Sequence, residues 1–245
     1  MTHFSCVVIG NESLLVQCAE AALDRGNTIE AVVTHNPDIR QWAEGRGLRV
    51  IETGSGLASR MQGLRFDWLL SIANLTIIPK AVLDMATKGA VNFHDGPLPR
   101  HAGLNAPVWA LIPGATQHGI TWHMIEGGVD EDDILVSRSF DITPRDTALT
   151  LNTKAYAVAM DSFGSVLDQL ENELQRVPQD LSQRSYHARD ERPSGYGLLD
   201  FTRSAADLER MVRALDHGTY WNPLCVPKLK ANGAIWLVGG VAIED

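Results

Sequence analysis

Short, uninterrupted apolar runs alternate with helically periodic segments through the first half of this chain, and that alternation constrains its fold more than any other feature. Cys6 to Ile9 stops at Gly10-Asn11-Glu12, after which Leu14, Leu15, Cys18, Ala19 and Ala22 recur at helical spacing. This pattern predicts a strand, a tight turn and a helix. Ile29 to Val33, Leu48 to Ile51, Trp68 to Ile72 and Ala90 to Phe93 are further strand candidates. Runs without polar alternation belong to strands covered on both faces, so they predict an α/β fold: a mostly parallel, twisted, Rossmann-like sheet wound on both sides.

Beyond these runs, Leu104 to Ile112 reads as a helix. Gly119 to Ile125 and Ile134 to Phe140 read as strands joined by a turn at Gly127-Gly128 that carries Asp130. Leu149, Leu151, Ala155, Ala159 and Phe163 fit one long helix from Thr147 to about Leu174. Arg176 to Gly197, rich in Arg, Gln, Ser and Pro, reads as a linker. A helix from Ala205 to Leu215, the aromatic segment at Tyr220 and Trp221, and strands at Ala234 to Val238 and Val241 to Glu244 follow. The expected organisation is a catalytic domain over residues 1–180 and a small α+β subdomain over 185–245, whose abrupt end suggests a piece of something longer. A chain of 245 residues, 44% of them hydrophobic, can bury such a core.

Composition removes several functions. A formal net charge of -9 argues against a broad basic surface for nucleic acid and leaves only a local patch at Arg100 and His101. Cys6, Cys18 and Cys225 are widely spaced and lack a ligand pattern, so no disulfide framework and no metal site is expected, only buried thiols in a reducing compartment. The N-terminus has no secretory pattern and no segment reaches membrane-spanning length, which predicts a soluble cytoplasmic protein with no membrane partner. The turn after the first strand lacks both G-x-G-x-x-G and the P-loop pattern, which disfavours NAD and ATP. Gly10 and Asn11 there can still receive an anionic group of a substrate at a helix N-terminus.

The chemistry-bearing residues lie at Asn92-Phe-His94-Asp-Gly-Pro-Leu-Pro-Arg100 and Gly127-Gly-Val-Asp130. In open parallel sheets binding sites form at the carboxyl ends of strands, where Asn92 and His94 fall. An amide, an imidazole and a carboxylate can together polarise a carbonyl, hold its oxyanion and move one proton, the requirements of acyl transfer. Taken singly, an Asn or His after a strand, or an Asp after Gly-Gly, is usually turn chemistry; the ordered set is the signal.

With Asn92-x-His94, Leu98-Pro99-Arg100, Gly103, Pro107, Trp109 and Gly128-x-Asp130 before Ile134-Leu135, most of residues 1–180 resembles the folate-dependent formyltransferases. The resemblance implies 10-formyltetrahydrofolate as formyl donor, an amine as acceptor, a tetrahedral intermediate and no metal. It assigns Asn92 to the formyl oxyanion, His94 to oxyanion stabilisation or proton transfer, and Asp130 to the orientation of His94. Ser71, Ile72, Ala73, Asn74 and Leu75, with Glu126, Gly127, Gly128 and Val129, match positions that enclose the pterin in the family, largely through backbone groups. Leu75, Ile77 and Ile78 fit an apolar folate slot and plain core packing equally well. Arg100, His101 and Asn105 fall on the acceptor side, where the first two can meet a phosphate or carboxylate. His123 reads as a supporting or packed histidine rather than a metal ligand.

Three departures bear on the acceptor: Asp95-Gly-Pro after the histidine, Asn105-Ala-Pro107, and Glu131-Asp132 after the aspartate. Asp132 is expected to point outward into solvent. The tail from Ser185 is similar to the start of the C-terminal region of tRNA and sugar-nucleotide formyltransferases, and the charge balance disfavours initiator tRNA. The variant motif with this tail looks like formyltransferase domains at the front of nonribosomal peptide synthetases and hybrid polyketide assembly lines, a secondary-metabolism setting. That implies a small or carrier-protein-tethered amine acceptor, with downstream assembly-line domains as partners. The alternatives are a stand-alone sugar-nucleotide or amino-acid N-formyltransferase, or a folate-binding docking module without turnover.

Overall fold

The computed structural model describes residues 2–243. Its first half is β1 (Ser5–Ile9), α1 (Ser13–Asp24), β2 (Thr28–Val33), α2 (Pro37–Gly45), β3 (Val50–Ile51), α3 (Leu57–Arg60), β4 (Phe66–Ser71), α4 (Lys80–Leu83) and β5 (Ala86–His94). There follow β6 (Ala102–Gly103), α5 (Ala106–Leu111), β7 (Gln117–Met124), β8 (Ile134–Asp141), α6 (Ala148–Glu171), β9 (Tyr186–His187), α7 (Ala205–Ala214), β10 (Lys228–Ala231) and β11 (Ala234–Leu237). The main sheet is seven-stranded, in the order β3-β2-β1-β4-β5-β7-β8. β1 to β5 pair in parallel and β7 pairs antiparallel with β5. The expected α/β class with a mostly parallel sheet is therefore the observed one.

Strand order reverses between β1 and β4, which makes the space beyond their carboxyl ends the topological switch point, where ligands of such sheets bind. Gly10 follows β1 and Ile72 follows β4. A Cβ on Gly10 would lie 1.9 Å from the Ile72 carbonyl oxygen, so only glycine lets the two strand ends approach this closely.

The chain falls into two compact units. One comprises residues 1–94, 120–138 and 158–181, and the other 95–119, 139–157 and 182–245. In the first, Val7, Ile9, Ala31, Val33, Leu69 and Ala90 fill one side of the sheet. On β5 and β7 the side chains Phe93 and Trp122 meet at 5.1 Å between ring centroids, and Trp122 meets Phe163 of α6 at the same distance. The indole N–H of Trp122 donates to Ser162 Oγ at 3.2 Å, satisfying a buried polar group that would otherwise cost stability. In the second unit Val108 and Leu111 of α5 pack with Leu151 of α6 and Met211, Val212 and Leu215 of α7.

Three sequence expectations change, and one helix, α2, stands where no element was expected. Leu48 to Ile51 contributes only Val50–Ile51 to the sheet. The polar stretch around Arg40 is α2, begun by Asn36, whose Oδ1 accepts from the Asp38 and Ile39 N–H groups at 2.9 and 3.4 Å, with Pro37 at its first position. Residues 241–243 are in no strand, and Glu244 lies outside the described residues. Parts of the expected linker are laid against distant strands: Val177 pairs with Ile134, and β9 pairs with β6.

Candidate active site

Asn92 and His94 are two residues apart on β5 and so share one face, opposite Phe93. Antiparallel pairing sets His123 of β7 directly across from Asn92 and Thr121 across from His94. Asp130 arrives from the loop between β7 and β8. Its carboxylate lies 3.5 Å from His94 Nδ1 and 3.2 Å from His123 Nε2, and all three side chains are less than a tenth exposed. Asn92 Nδ2 is 3.2 Å from the same His123 Nε2. The structure thus brings together the three residues singled out from sequence and adds His123 as the link between the amide and the carboxylate.

His123 Nδ1 lies 2.7 Å from the Met124 carbonyl oxygen, a contact that requires a proton on Nδ1. One nitrogen, Nε2, then faces two partners. A neutral ring accepts from the Asn92 amide, whereas an imidazolium donates to Asp130. Either way the ring ties the amide plane of Asn92 to the position of Asp130. Nothing in a single sequence distinguishes such a histidine from a packed one; the cross-strand register of two strands is what reveals it.

The loop after β4 offers a mixed wall. Ser71 and Ile72 are buried, and Ala73 takes a left-handed φ of 48°. The Asn74 side chain closes a turn, donating to the Thr76 carbonyl at 2.8 Å and accepting from the Thr76 N–H at 3.1 Å. Leu75 and Ile77 are 69% and 74% exposed, which excludes core packing for them, while Ile78 packs against the sheet core. Gly10 and Asn11 use their groups within the sheet edge: Gly10 N–H donates to Val33 O at 3.1 Å. The Asn11 side chain accepts from Thr34 Oγ1 and the His35 N–H at 3.1 and 3.0 Å.

Asp132 is half-buried, and its side chain folds back onto the turn at Glu126 and Gly127 rather than standing free in solvent. Its Oδ2 accepts from the Glu126 and Gly127 N–H groups at 2.8 and 3.0 Å. The physical reason is a turn with backbone donors that no strand partner satisfies, for which a nearby carboxylate is the strongest available acceptor.

In the second unit Arg100, His101 and Asn105 lie on the segment from Asp95 to α5. The Arg100 guanidinium makes no hydrogen bond or ion pair among the described residues and lines a cavity with Pro97, Leu98, Pro99, Gln117, His118, Ser139 and Gln183. His101, at φ 57°, donates its N–H to Ser185 Oγ at 2.8 Å, and its ring stacks on His187 at 5.6 Å. His187 in turn stacks on Trp109 at 4.6 Å. Asn105 starts α5 at φ 61° without capping it. His101 therefore stiffens its own segment, and Arg100 is the cation left open to a ligand. No group of metal-ligating side chains occurs among the described residues, and no described helix is long and apolar enough to cross a membrane.

The protein is thus of the α/β class, with an Asn-x-His strand end on β5 facing an aspartate on the loop between β7 and β8. Residues 49–167 match the model of the formyl transferase family. Methionyl-tRNA formyltransferase of Geobacter metallireducens is 26% identical over 230 residues, covering 87% of this chain and 73% of that protein. GDP-perosamine N-formyltransferase of Brucella melitensis is 28% identical over 236 residues, covering 92% and 88%. Among solved structures, a 4-N formyltransferase from Francisella tularensis has a TM-score of 0.78 at 15% identity, covering 99% of this chain and 98% of that one. An N-formyltransferase from Helicobacter canadensis, in complex with folinic acid and dTDP-3-aminofucose, has a TM-score of 0.71 at 18% identity, covering 87% and 80%.

Proposed function

We propose that this protein transfers a formyl group from 10-formyltetrahydrofolate to the amine of a small acceptor, and that Asn92, His94 and Asp130 carry the reaction. The observation that carries this reading is the meeting of these side chains at the carboxyl end of β5, where His94 and Asp130 are buried and Asn92 is half-buried. The donor suits the wall beside it: exposed Leu75 and Ile77 can cover an apolar ring face, next to backbone groups of the turns after β4 and β7. Bound there, the donor supplies an electrophilic formyl carbon and a nitrogen leaving group.

The roles follow from each residue's chemistry. The Asn92 amide can donate to the formyl oxygen as charge develops on it, an interaction worth roughly 3 kcal/mol when it strengthens in the transition state. An amide stays neutral, so this donor is available across pH. His94 can take the proton released by the attacking amine and hand it to the departing nitrogen. Asp130 fixes the His94 ring through Nδ1, leaving Nε2 to serve the reactants. Burial of His94 and Asp130 limits the water that can compete for the formyl group.

Relatives guide the choice of acceptor. The Brucella enzyme is named for GDP-perosamine, and the Helicobacter structure holds dTDP-3-aminofucose. Arg100, uncompensated and lining a cavity with Gln117, Ser139 and Gln183, suits the phosphates of such a compound. We therefore place a nucleotide-linked amino sugar ahead of the carrier-tethered amine that the motif suggested, and ahead of tRNA, which the net charge of -9 disfavours. The test is incubation with 10-formyltetrahydrofolate and a panel of GDP- and dTDP-linked amino sugars, aminoacylated carrier proteins, free amino acids and methionyl-tRNA, scored by mass spectrometry for formyl adducts. An adduct confined to nucleotide sugars supports the reading. Folate binding without an adduct on any amine would replace it with the docking-module alternative.

A further inference from the structure

The structure assigns Gln179, in the segment after α6, as the residue that positions Asp130. This role rests on the proposed formyl transfer. Asp130 occupies a left-handed conformation, φ 55°, on a loop between two strands, where a non-glycine residue stays only if its surroundings hold it. No ladder can do so, because the loop lies outside the paired parts of β7 and β8. Gln179 Nε2 donates to the Asp130 carbonyl at 3.2 Å and to the Asp132 carbonyl at 2.6 Å. One side-chain nitrogen thus spends both its protons on the two backbone oxygens that bracket Glu131.

The same segment secures the rest of the loop. Arg176 reaches Glu126 at 2.6 Å and Asp133 at 2.8 Å, gripping both ends. Val177 pairs with Ile134 through N–H to carbonyl bonds of 2.8 and 2.9 Å, which fixes the segment in register with β8. Asp132 draws the loop closed by accepting from the Glu126 and Gly127 N–H groups.

The choice of side chains fits the task. An amide is a neutral donor, so Gln179 can hold the Asp130 backbone without competing with His94 and His123 for the Asp130 carboxylate. A lysine or arginine there would capture that carboxylate. The cation that is present, Arg176, is occupied by two other carboxylates. Because the carboxylate of Asp130 sets the His94 ring, a shift of the Asp130 backbone reaches the reacting atoms at one remove.

The test replaces Gln179 with its isostere: Gln179→Glu turns two donors into acceptors facing two carbonyl oxygens, while Gln179→Met removes the polar group at similar size. In both variants kcat is expected to fall about 10- to 100-fold, as positional errors of about an ångström do. KM for donor and acceptor should stay within about twofold, and backbone hydrogen exchange across 126–133 should accelerate. Parental turnover in both variants would overturn the assignment. So would a loss of kcat accompanied by a matching rise in KM and general destabilisation, which is what a merely structural residue produces. If the parent protein itself transfers no formyl group, the functional reading fails on its own. The exchange arm still decides the loop: unchanged protection across 126–133 in Gln179→Glu overturns the clasp.

Discussion

The two halves of the site are held by different means. Asn92 and His94 stand on β5, which is paired with β4 on one side and β7 on the other, so the sheet itself sets their spacing and face. Asp130 stands on a loop with a left-handed backbone and is kept in place by side chains, chiefly Gln179, Asp132 and Arg176. A strand site tolerates change in its neighbours because ladder hydrogen bonds come from the backbone of every residue. A loop site depends on a few particular side chains, so variation around it concentrates risk.

That contrast orders the expected mutational effects. His94→Ala should cost the most, on the order of 10³-fold in kcat, because it removes the proton carrier while leaving β5 paired. Asn92→Ala should follow at about 10²-fold, the typical cost of losing one oxyanion donor. Both should melt close to the parent, since the ladder uses the backbone groups of these residues and not their side chains. A folded His94→Ala protein with near-normal turnover would sink the proposed mechanism.

Asp132→Ala tests the loop side. It strands the Glu126 and Gly127 N–H groups, so kcat should fall by roughly 10-fold, less than for the strand residues, and donor KM should rise, because these two groups lie on the turn proposed to meet the donor, which Gln179 does not touch. Stability should drop by about 1 kcal/mol, because these hydrogen bonds are partly open to water. If Asp132→Ala has no effect on either constant, the loop is held by the Arg176 and Gln179 contacts alone. Steady-state kinetics with each substrate varied in turn separates these outcomes.

The same contrast explains what was legible in the sequence. Apolar runs such as Val7 to Ile9 and Trp68 to Leu70 announce buried parallel strands because coverage on both faces leaves no polar alternation. Asn92 and His94 were legible because strand periodicity places them on one face at a strand end. The backbone contacts of Asp132 were not legible, since whether a loop carboxylate extends freely or folds back onto backbone donors depends on the turn's unpaired N–H groups. Gln179 lay within an apparent linker: its partners Asp130 and Asp132 are distant in sequence, and a glutamine carries no pattern of its own. α2 escaped notice for a related reason, having only Ile39 and Ala43 buried to mark its inner face.

The smallest expected effect on turnover comes from a second buried carboxylate, Asp146, and it isolates what burial alone does. Asp146 precedes α6 and accepts from the Thr143 N–H at 2.6 Å, Thr150 Oγ1 at 3.0 Å and Lys154 Nζ at 2.6 Å. Burial by itself would raise its pKa, but the hydrogen bonds from Lys154, Thr143 and Thr150 outweigh it and leave the pKa below its ordinary value of 3.8. The folded state therefore favours the ionised form. The resulting stabilisation is complete above the unfolded-state value and is lost as pH falls through the lower folded value. Asp146→Asn should cost about 2 kcal/mol at neutral pH, and the gap to the parent should narrow as the medium is acidified below about pH 4. Turnover at neutral pH should be unchanged, because this carboxylate serves the start of a helix and touches no histidine. Chemical denaturation across the acid range, paired with a single kcat measurement, checks both claims; a kcat loss like that expected for Asp132→Ala would erase the distinction between a carboxylate that holds structure and one that serves chemistry.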